Sequence, residues 1–397
     1  MRLKHSECNM NKASLAPLPV MKNGAALSPS RRERVMRVKG DVRLGTPVVL
    51  TSGKTAALVI AVEMLTPERH AALALSGQPR HLVLTRHRLF RSGVKDLPQT
   101  DVLHLVLSRD VSLSRIKSLA DPALAPLDHA SAALLEGLCA SCVPQVHVGA
   151  LLHEAAIALC KSAQLLPAVL LLPLQDGPTT AQQHGLSIVD AAEAISELTT
   201  ARMHNPVSTA SLPMSVSQSG RVHVYRPDDG SIEHYAIEIG TPDFSGPVLV
   251  RLHSACFTGD VLGSLKCDCG PQLRAACATM ADSGGGVLLY LNQEGRGIGM
   301  GNKMRAYALQ DGGMDTVEAN HHLGFHDDER DFRHGAALLK QLGIAQARLL
   351  TNNPAKLTVL SAQGIEVTER VPLEVGKTSQ NALYLATKAT KSGHLLT

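Results

Sequence analysis

Three of the eight cysteines, Cys256, Cys267 and Cys269, fall in one stretch, Arg251 to Gly270, RLHSACFTGDVLGSLKCDCG. Their spacing, C-x10-C-x-C, suits a metal better than a disulfide. Cys-x-Cys neighbours bridge each other poorly, whereas two thiolates on one turn can fill two corners of a tetrahedron and a third can arrive from upstream. Three protein ligands leave a corner for water, as catalytic zinc sites do, and zinc brings the pKa of such a water to about 7. The same spacing also fits a structural zinc turn closed by His253 or Asp268, or three unrelated buried thiols.

Two more stretches could hold an anion. NQEGRGIGMGNK, residues 292–303, has glycines at 295, 297, 299 and 301 that free the backbone for close approach, with Glu294, Arg296 and Lys303 supplying polar contacts. ARLLTNNPAKLTVLSAQGIEV reads as strand, turn and helix, with Asn353 as N-cap, Pro354 at the first helical position and Gly364 just past the end. That places Thr351 and Lys356 at the carboxyl end of a strand beside a helix N-terminus, where α/β proteins commonly bind phosphate. With the Asp-x-Arg pair Asp328 and Arg330, these features suggest metal-assisted hydrolysis of a phosphorylated substrate. HDDERD at 326–331 also reads as an ordinary helix start, capped by Asp327 or Asp328.

Other motifs carry less. SGKT at 52–55 follows a strand, but Val48 stands where a Walker loop needs glycine. Cys139 and Cys142 form a CxxC without a second ligand pair and read as two buried thiols.

The chain has 397 residues, enough for two or three domains, with 44% hydrophobic and 19% charged residues, as expected of a soluble globular protein. A net charge of +4, five Phe, five Tyr and no Trp argue against nucleic acid as a partner. No stretch approaches the ~20 apolar residues of a spanning helix, so no membrane is expected, and with no secretion signal the cytoplasm is the expected location.

The elements that must position these residues alternate. PVVLT at 47–51, HLVLT at 81–85 and AVLLLPL at 168–174 read as strands, with helices over 31–39 and near 66–75 and 153–164, which argues for α/β layers. Residues 1–30 are expected to be a disordered lead-in, 31–200 a first domain, the Ser/Thr/Pro-rich 201–220 a linker and 221–397 a second domain. That second domain opens on a hairpin, RVHVYR and HYAIEIG, followed by the strand PVLVRLHS running into the cysteines, the helix PQLRAACATMAD and the strand VLLYL.

Residues 221–397 resemble GTP cyclohydrolase II on HSxCxTGDxxxSxxCDCG, QEGRGIG, RAYALQD, DTVEAN, LGFxxDERD, LLTNNPxK and the closing GHLL, all in order. The resemblance implies two domains, each a mixed β-sheet flanked by helices. It implies zinc-dependent opening of the guanine ring of GTP to 2,5-diamino-6-ribosylamino-4(3H)-pyrimidinone 5′-phosphate, with loss of formate and pyrophosphate, as the first step of riboflavin synthesis. One Zn2+ per chain would sit on Cys256, Cys267 and Cys269, and Mg2+ would accompany the triphosphate. Arg251, Leu252, His253, Ser254, Ala255, Gln272, Glu294, Gly295, Arg296, Thr316, Thr351 and Lys356 would surround GTP. Asp328 would be the proton acceptor and Arg330 the nucleophile at the α-phosphate, with Tyr307 beside the ring orienting a water. A homodimer is also implied.

Residues 40–197 are similar, more distantly, to 3,4-dihydroxy-2-butanone 4-phosphate synthase, on GTPVVLT, AVEMLTPE, HEAAIAL and HGLSIVDAAEAI. That family's acidic DDExRENEGD loop is replaced here by SGKTAALVIA, and its GHTEA metal histidine falls at Leu152, with His153 displaced by one. A first domain without its own catalysis is therefore expected. The two competing readings are a bifunctional enzyme and a non-catalytic zinc and GTP-binding regulatory protein.

Overall fold

The computed structural model describes residues 27–94, 97–124 and 150–381, together with Ala386, Thr390, Gly393 and Leu395. Most of the expected lead-in, Cys139, Cys142 and two residues of GHLL, 394 and 396, lie outside the described residues.

Six strands form the first sheet: β1 (Val48–Ser52), β2 (Thr55–Ala61), β3 (His81–Thr85), β4 (Val102–Val106), β5 (Ala168–Leu174) and β6 (Ile188–Asp190), in the order β4-β3-β5-β2-β1-β6. Only β1 and β6 run parallel; the other pairs are antiparallel. One face is covered by the helices Arg31–Leu44, Ala150–Ser162 and Ala191–Thr199 through Val35, Val38, Val42, Leu159 and Ala194, and the opposite face by Leu73, Leu89, Ile116 and Leu119. The SGKT segment is the β1–β2 turn, with Gly53 at φ 58° and Thr55 Oγ1 donating to the Ser52 carbonyl at 2.8 Å. A strand rather than a helix follows it, so it forms no phosphate loop.

The second sheet has seven strands: β7 (His204–Ser211), β8 (Gly220–Pro227), β9 (His234–Gly240), β10 (Val248–Ser254), β11 (Gly285–Leu291), β12 (Gln346–Leu350) and β13 (Glu366–Val371), in the order β13-β12-β10-β11-β9-β8-β7. β7 occupies residues 204–211 of the segment 201–220 expected to be a linker. It is an edge strand, exposed after His204 and bulged between Pro206 and Ser208, so it lacks the alternation by which a half-buried strand is recognised. Ala276 and Met280 of the helix Cys269–Asp282 cover one face of the sheet, and Leu338, Leu339 and Leu360 of the helices Arg333–Gln341 and Pro354–Ala362 cover the other.

The arrangement that matters for chemistry is at the centre. β11, β10 and β12 are adjacent and parallel, so their carboxyl ends emerge along one edge. The cysteine stretch, the Gly-rich turn and Thr351 begin at those three ends, as ligand loops do in open α/β sheets.

The two halves also share a core. Leu166, just before β5, packs with Ile298, Ala306, Leu309, Ala319, Leu323 and Phe325. Ion pairs flank it: Arg305 with Glu63 at 3.0 Å and Asp121 at 2.8 Å, and Lys161 with Glu329 at 2.6 Å.

Candidate active site

β10 delivers Arg251, His253 and Ser254 to the cleft and then turns into the cysteines. Sγ atoms of Cys256 and Cys267 are 3.7 Å apart, and one ligand atom from each of Cys256, Cys267 and Cys269 lies within 4.8 Å of the others. Zinc with Zn–S bonds of about 2.3 Å sets tetrahedral sulfurs about 3.8 Å apart, so this donor set fits that metal. A Cβ on Gly259 would lie 2.8 Å from the Cys267 sulfur, and one on Gly270 would lie 2.1 Å from the Gly259 carbonyl, so both glycines are required by the closeness of the turns.

Asp260 organises the stretch. Its carboxylate accepts from the Cys256 amide and the Tyr290 hydroxyl, each at 3.0 Å, and meets His253 Nε2 at 3.0 Å. Burial lowers the His253 pKa against the opposing pull of Asp260, and its Nδ1 has no hydrogen-bond partner among the described residues.

Lys303 is placed differently from the sequence reading. Its ammonium is buried against Thr258 Oγ1 at 2.8 Å, Glu294 Oε1 at 2.9 Å and Cys256 Sγ at 3.1 Å, so it partners the sulfur rather than a phosphate. Burial opposes its charge, but Glu294 and Cys256 outweigh it and raise the Lys303 pKa. The Cys256 thiol is driven far below its ordinary range by hydrogen bonds from Cys267 and Cys269 and by the Lys303 charge, which favours a thiolate there. Tyr307 faces the same cleft, its hydroxyl pushed up to about 12 by burial.

The Gly-rich turn and the 326–331 loop are stitched together. Gln293 Nε2 donates to the Asp331 carbonyl at 2.9 Å, Arg296 Nη1 to the Asp327 carbonyl at 3.2 Å and the Glu329 amide to the Arg296 carbonyl at 3.0 Å. Arg296 itself sits at φ 59°, a left-handed conformation unusual for a side chain. The helix-start reading of 326–331 is corrected: Asp327 meets His321 at 2.6 Å, Asp328 grips Arg330, and the helix Arg333–Gln341 begins later with no side-chain cap.

Asp328 and Arg330 form a two-point fork, Nε to Oδ1 at 2.8 Å and Nη2 to Oδ2 at 2.5 Å, while Nη1 of Arg330 reaches Ser254 Oγ at 3.3 Å. Burial tends to raise the Asp328 pKa, but the hydrogen bonds and charge of Arg330 hold it below the usual range. Across the cleft, Arg251 is wholly buried, donating to the Leu350 carbonyl at 2.9 Å and Gln272 Oε1 at 2.5 Å, with its pKa lowered to about 10 by burial. Lys356 Nζ donates to the Leu252 carbonyl at 2.7 Å.

One cleft is therefore lined by Arg251, His253, Ser254, Ala255, Gln272, Glu294, Gly295, Arg296, Thr316, Thr351, Lys356, the three cysteines, Tyr307 and Arg330. Leu252 and Asp328 do not line it: Leu252 packs against Gly335 in the core, and Asp328 stands behind Arg330. Gln293, Gln310, Asn320 and Asn352 also line the cleft and were not singled out in the sequence, since lone amides carry no spacing signal.

Residues 205–372 match the family described as GTP cyclohydrolase II. A GTP cyclohydrolase-2 from Azospirillum brasilense is 40% identical over 369 residues, covering 91% of this chain and 93% of that protein. The chain belongs to the GTP cyclohydrolase II family. It is an enzyme of that family, and both halves fall within the full-length match. A GTP cyclohydrolase-2 from Azotobacter vinelandii is 59% identical over 41% of this chain and 79% of its own length. A riboflavin biosynthesis protein RibBA from Bacillus mycoides is 58% identical over 41% of each chain.

Proposed function

We propose that this chain opens the imidazole ring of the guanine of GTP by zinc-dependent hydrolysis, releasing formate and pyrophosphate and leaving the diaminopyrimidinone ribosyl phosphate that begins riboflavin synthesis. The observation that carries this reading is the meeting of three cysteine sulfurs with buried Arg251 and Lys356 and half-buried Arg330 around one cleft. Zinc bound to Cys256, Cys267 and Cys269 supplies Lewis-acid chemistry and an activated water at neutral pH. Mg2+ accompanies the triphosphate.

The protein groups have separable tasks in this proposal. Lys303 holds the charge of the cysteine cluster, and Asp260 fixes the Cys256 backbone and the His253 ring. Arg330, oriented by the Asp328 carboxylate, takes the α-phosphate; a guanidinium, which keeps its charge and does not act as a base in proteins, serves there as a clamp. Arg296 and Lys356 add positive charge, while Tyr307 presents a protonated hydroxyl to orient water near the purine. Gln272, Thr316 and Thr351 supply neutral hydrogen-bonding groups around the nucleotide.

The first half contributes no chemistry of its own in this reading. The β1–β2 hairpin contains no carboxylate, and Glu63, which follows it, is engaged by the Leu166 amide at 2.9 Å and by Arg305. Purified protein given ribulose 5-phosphate and Mg2+ should form no butanone phosphate, and measurable product would establish the bifunctional reading instead. We further propose a homodimer, to be checked by light scattering on a sizing column.

The deciding assay supplies GTP and Mg2+ and follows formate and pyrophosphate. Wild-type protein should release both, and Cys267→Ser should lose formate release. Undiminished formate from Cys267→Ser would remove the metal from the reaction.

A further inference from the structure

The first half contains a second cluster of metal-ligating side chains, unconnected with the cysteines. His81 on β3, His104 on β4 and His153 on the first turn of the helix Ala150–Ser162 are all buried, and one ring nitrogen from each lies within 4.8 Å of the others. The pairing explains the convergence. His104 is opposite Val83 and His81 is opposite Val106, so the two histidines are diagonal neighbours on one sheet face. The helix Ala150–Ser162 packs on that same face, with Val83, Ala155 and Ala156 in one core. Ring centroids of His81 and His104, and of His104 and His153, are 4.9 Å apart, and those of His81 and His153 are 6.5 Å apart.

The geometry points to a metal site on His81, His104 and His153 that binds a divalent ion of the zinc class and ties β3 and β4 to the helix Ala150–Ser162. Three neutral imidazoles suit Zn2+, Co2+ or Ni2+, whereas Mg2+ and Ca2+ require oxygen donors that this set does not offer. Zinc–nitrogen bonds of about 2.0–2.1 Å place tetrahedral ligands about 3.3 Å apart, so the nitrogens need to draw together by about 1.5 Å at most, within reach of imidazole χ rotations.

A second histidine trio shows the contrast. His204, His234 and His334 also cluster, but the Asn292 amide donates to His234 Nδ1 at 3.0 Å and His334 Nδ1 meets His204 Nε2 at 2.9 Å. Accepting at Nδ1 leaves the proton of neutral His234 on Nε2, so the nitrogens of that cluster bond to the Asn292 amide and to one another.

The test uses the full chain, stripped with chelator and reloaded with Zn2+ alone. Wild-type protein should take two equivalents, and the Cys256→Ser, Cys267→Ser double variant one. That remaining equivalent should show a first shell of nitrogen and oxygen without sulfur by X-ray absorption, and Zn2+ should raise the melting temperature of the double variant. Adding His104→Phe to it should remove the last equivalent. His104→Phe alone should keep GTP turnover, which separates loss of a ligand from loss of the fold. A double variant that takes no Zn2+ and does not gain melting temperature from it, or one that keeps its equivalent after His104→Phe, overturns the site without touching the cysteine site.

Discussion

At the scale of single residues, the Asp328–Arg330 fork gives a sharp expectation. Asp328 does not line the cleft, yet it holds two of the three nitrogens of the guanidinium that does. Asp328→Asn keeps the shape and loses the charge-assisted pair, worth about 1.5–3 kcal/mol, so kcat/KM for GTP should fall about ten- to hundredfold with little change in melting temperature. Unchanged kcat/KM would show that Arg330 needs no such orientation. The buried histidines supply another. Burial lowers His204 to about 4 and His234 to about 3, while both titrate near 6.5 when unfolded. Between about pH 6.5 and 4 the unfolded chain therefore binds protons that the folded chain refuses. The stability held above pH 6.5 is lost as pH falls through that window, by about 1.4 kcal/mol per pH unit for each histidine. Urea midpoints measured from pH 7 to 4 should fall, and less steeply for His234→Gln.

At the scale of elements, local chemistry decides what the sequence reveals. The segment Gln346 to Gly364 was legible throughout: β12, the Asn353 cap accepting from the Ala355 amide at 2.9 Å, Pro354 at the first helical position and Gly364 at φ 79° all follow from side-chain rules acting over a few residues. Strands β3 and β5 were equally plain because each carries an unbroken apolar stretch, Leu82 to Leu84 and Ala168 to Leu174. The 326–331 loop was not. Its acids could cap a helix locally, but they are drawn instead to His321, Lys161, Arg330 and Arg333. Leu252, which the family pattern put among the substrate contacts, faces the core because successive residues of β10 alternate between faces. Gly297 ties the two loops: it sits at φ 94°, and a Cβ there would come within 2.6 Å of the Glu329 carbonyl. Gly297→Ala should cost about 1–3 kcal/mol and lower GTP turnover, since the clash displaces the segment bearing Arg330. Wild-type melting and turnover in that variant would show that the loops need not approach so closely.

At the scale of the whole molecule, the first half is joined to the loop that carries Arg330. The Azotobacter vinelandii protein matches only 41% of this chain, over 79% of its own length. Here Leu166 completes a core with Ile298 and Phe325, and Lys161 reaches Glu329, whose carboxylate also accepts from the His326 amide at 2.9 Å. Glu329 lies between Asp328 and Arg330, so a cation of the first half holds the backbone on which the fork is mounted. Leu166→Ala removes a buried side chain and should cost about 2–5 kcal/mol of stability. Lys161→Met separates positioning from stability. The ion pair is partly exposed and worth no more than about 1 kcal/mol to folding, so melting should change little, while kcat/KM for GTP should fall severalfold. Glu329→Gln should give a similar loss, and combining the two should add almost nothing, because both remove one interaction. Full turnover in Lys161→Met would show that the first half covers the Ile298 and Phe325 core without steering the active-site loop.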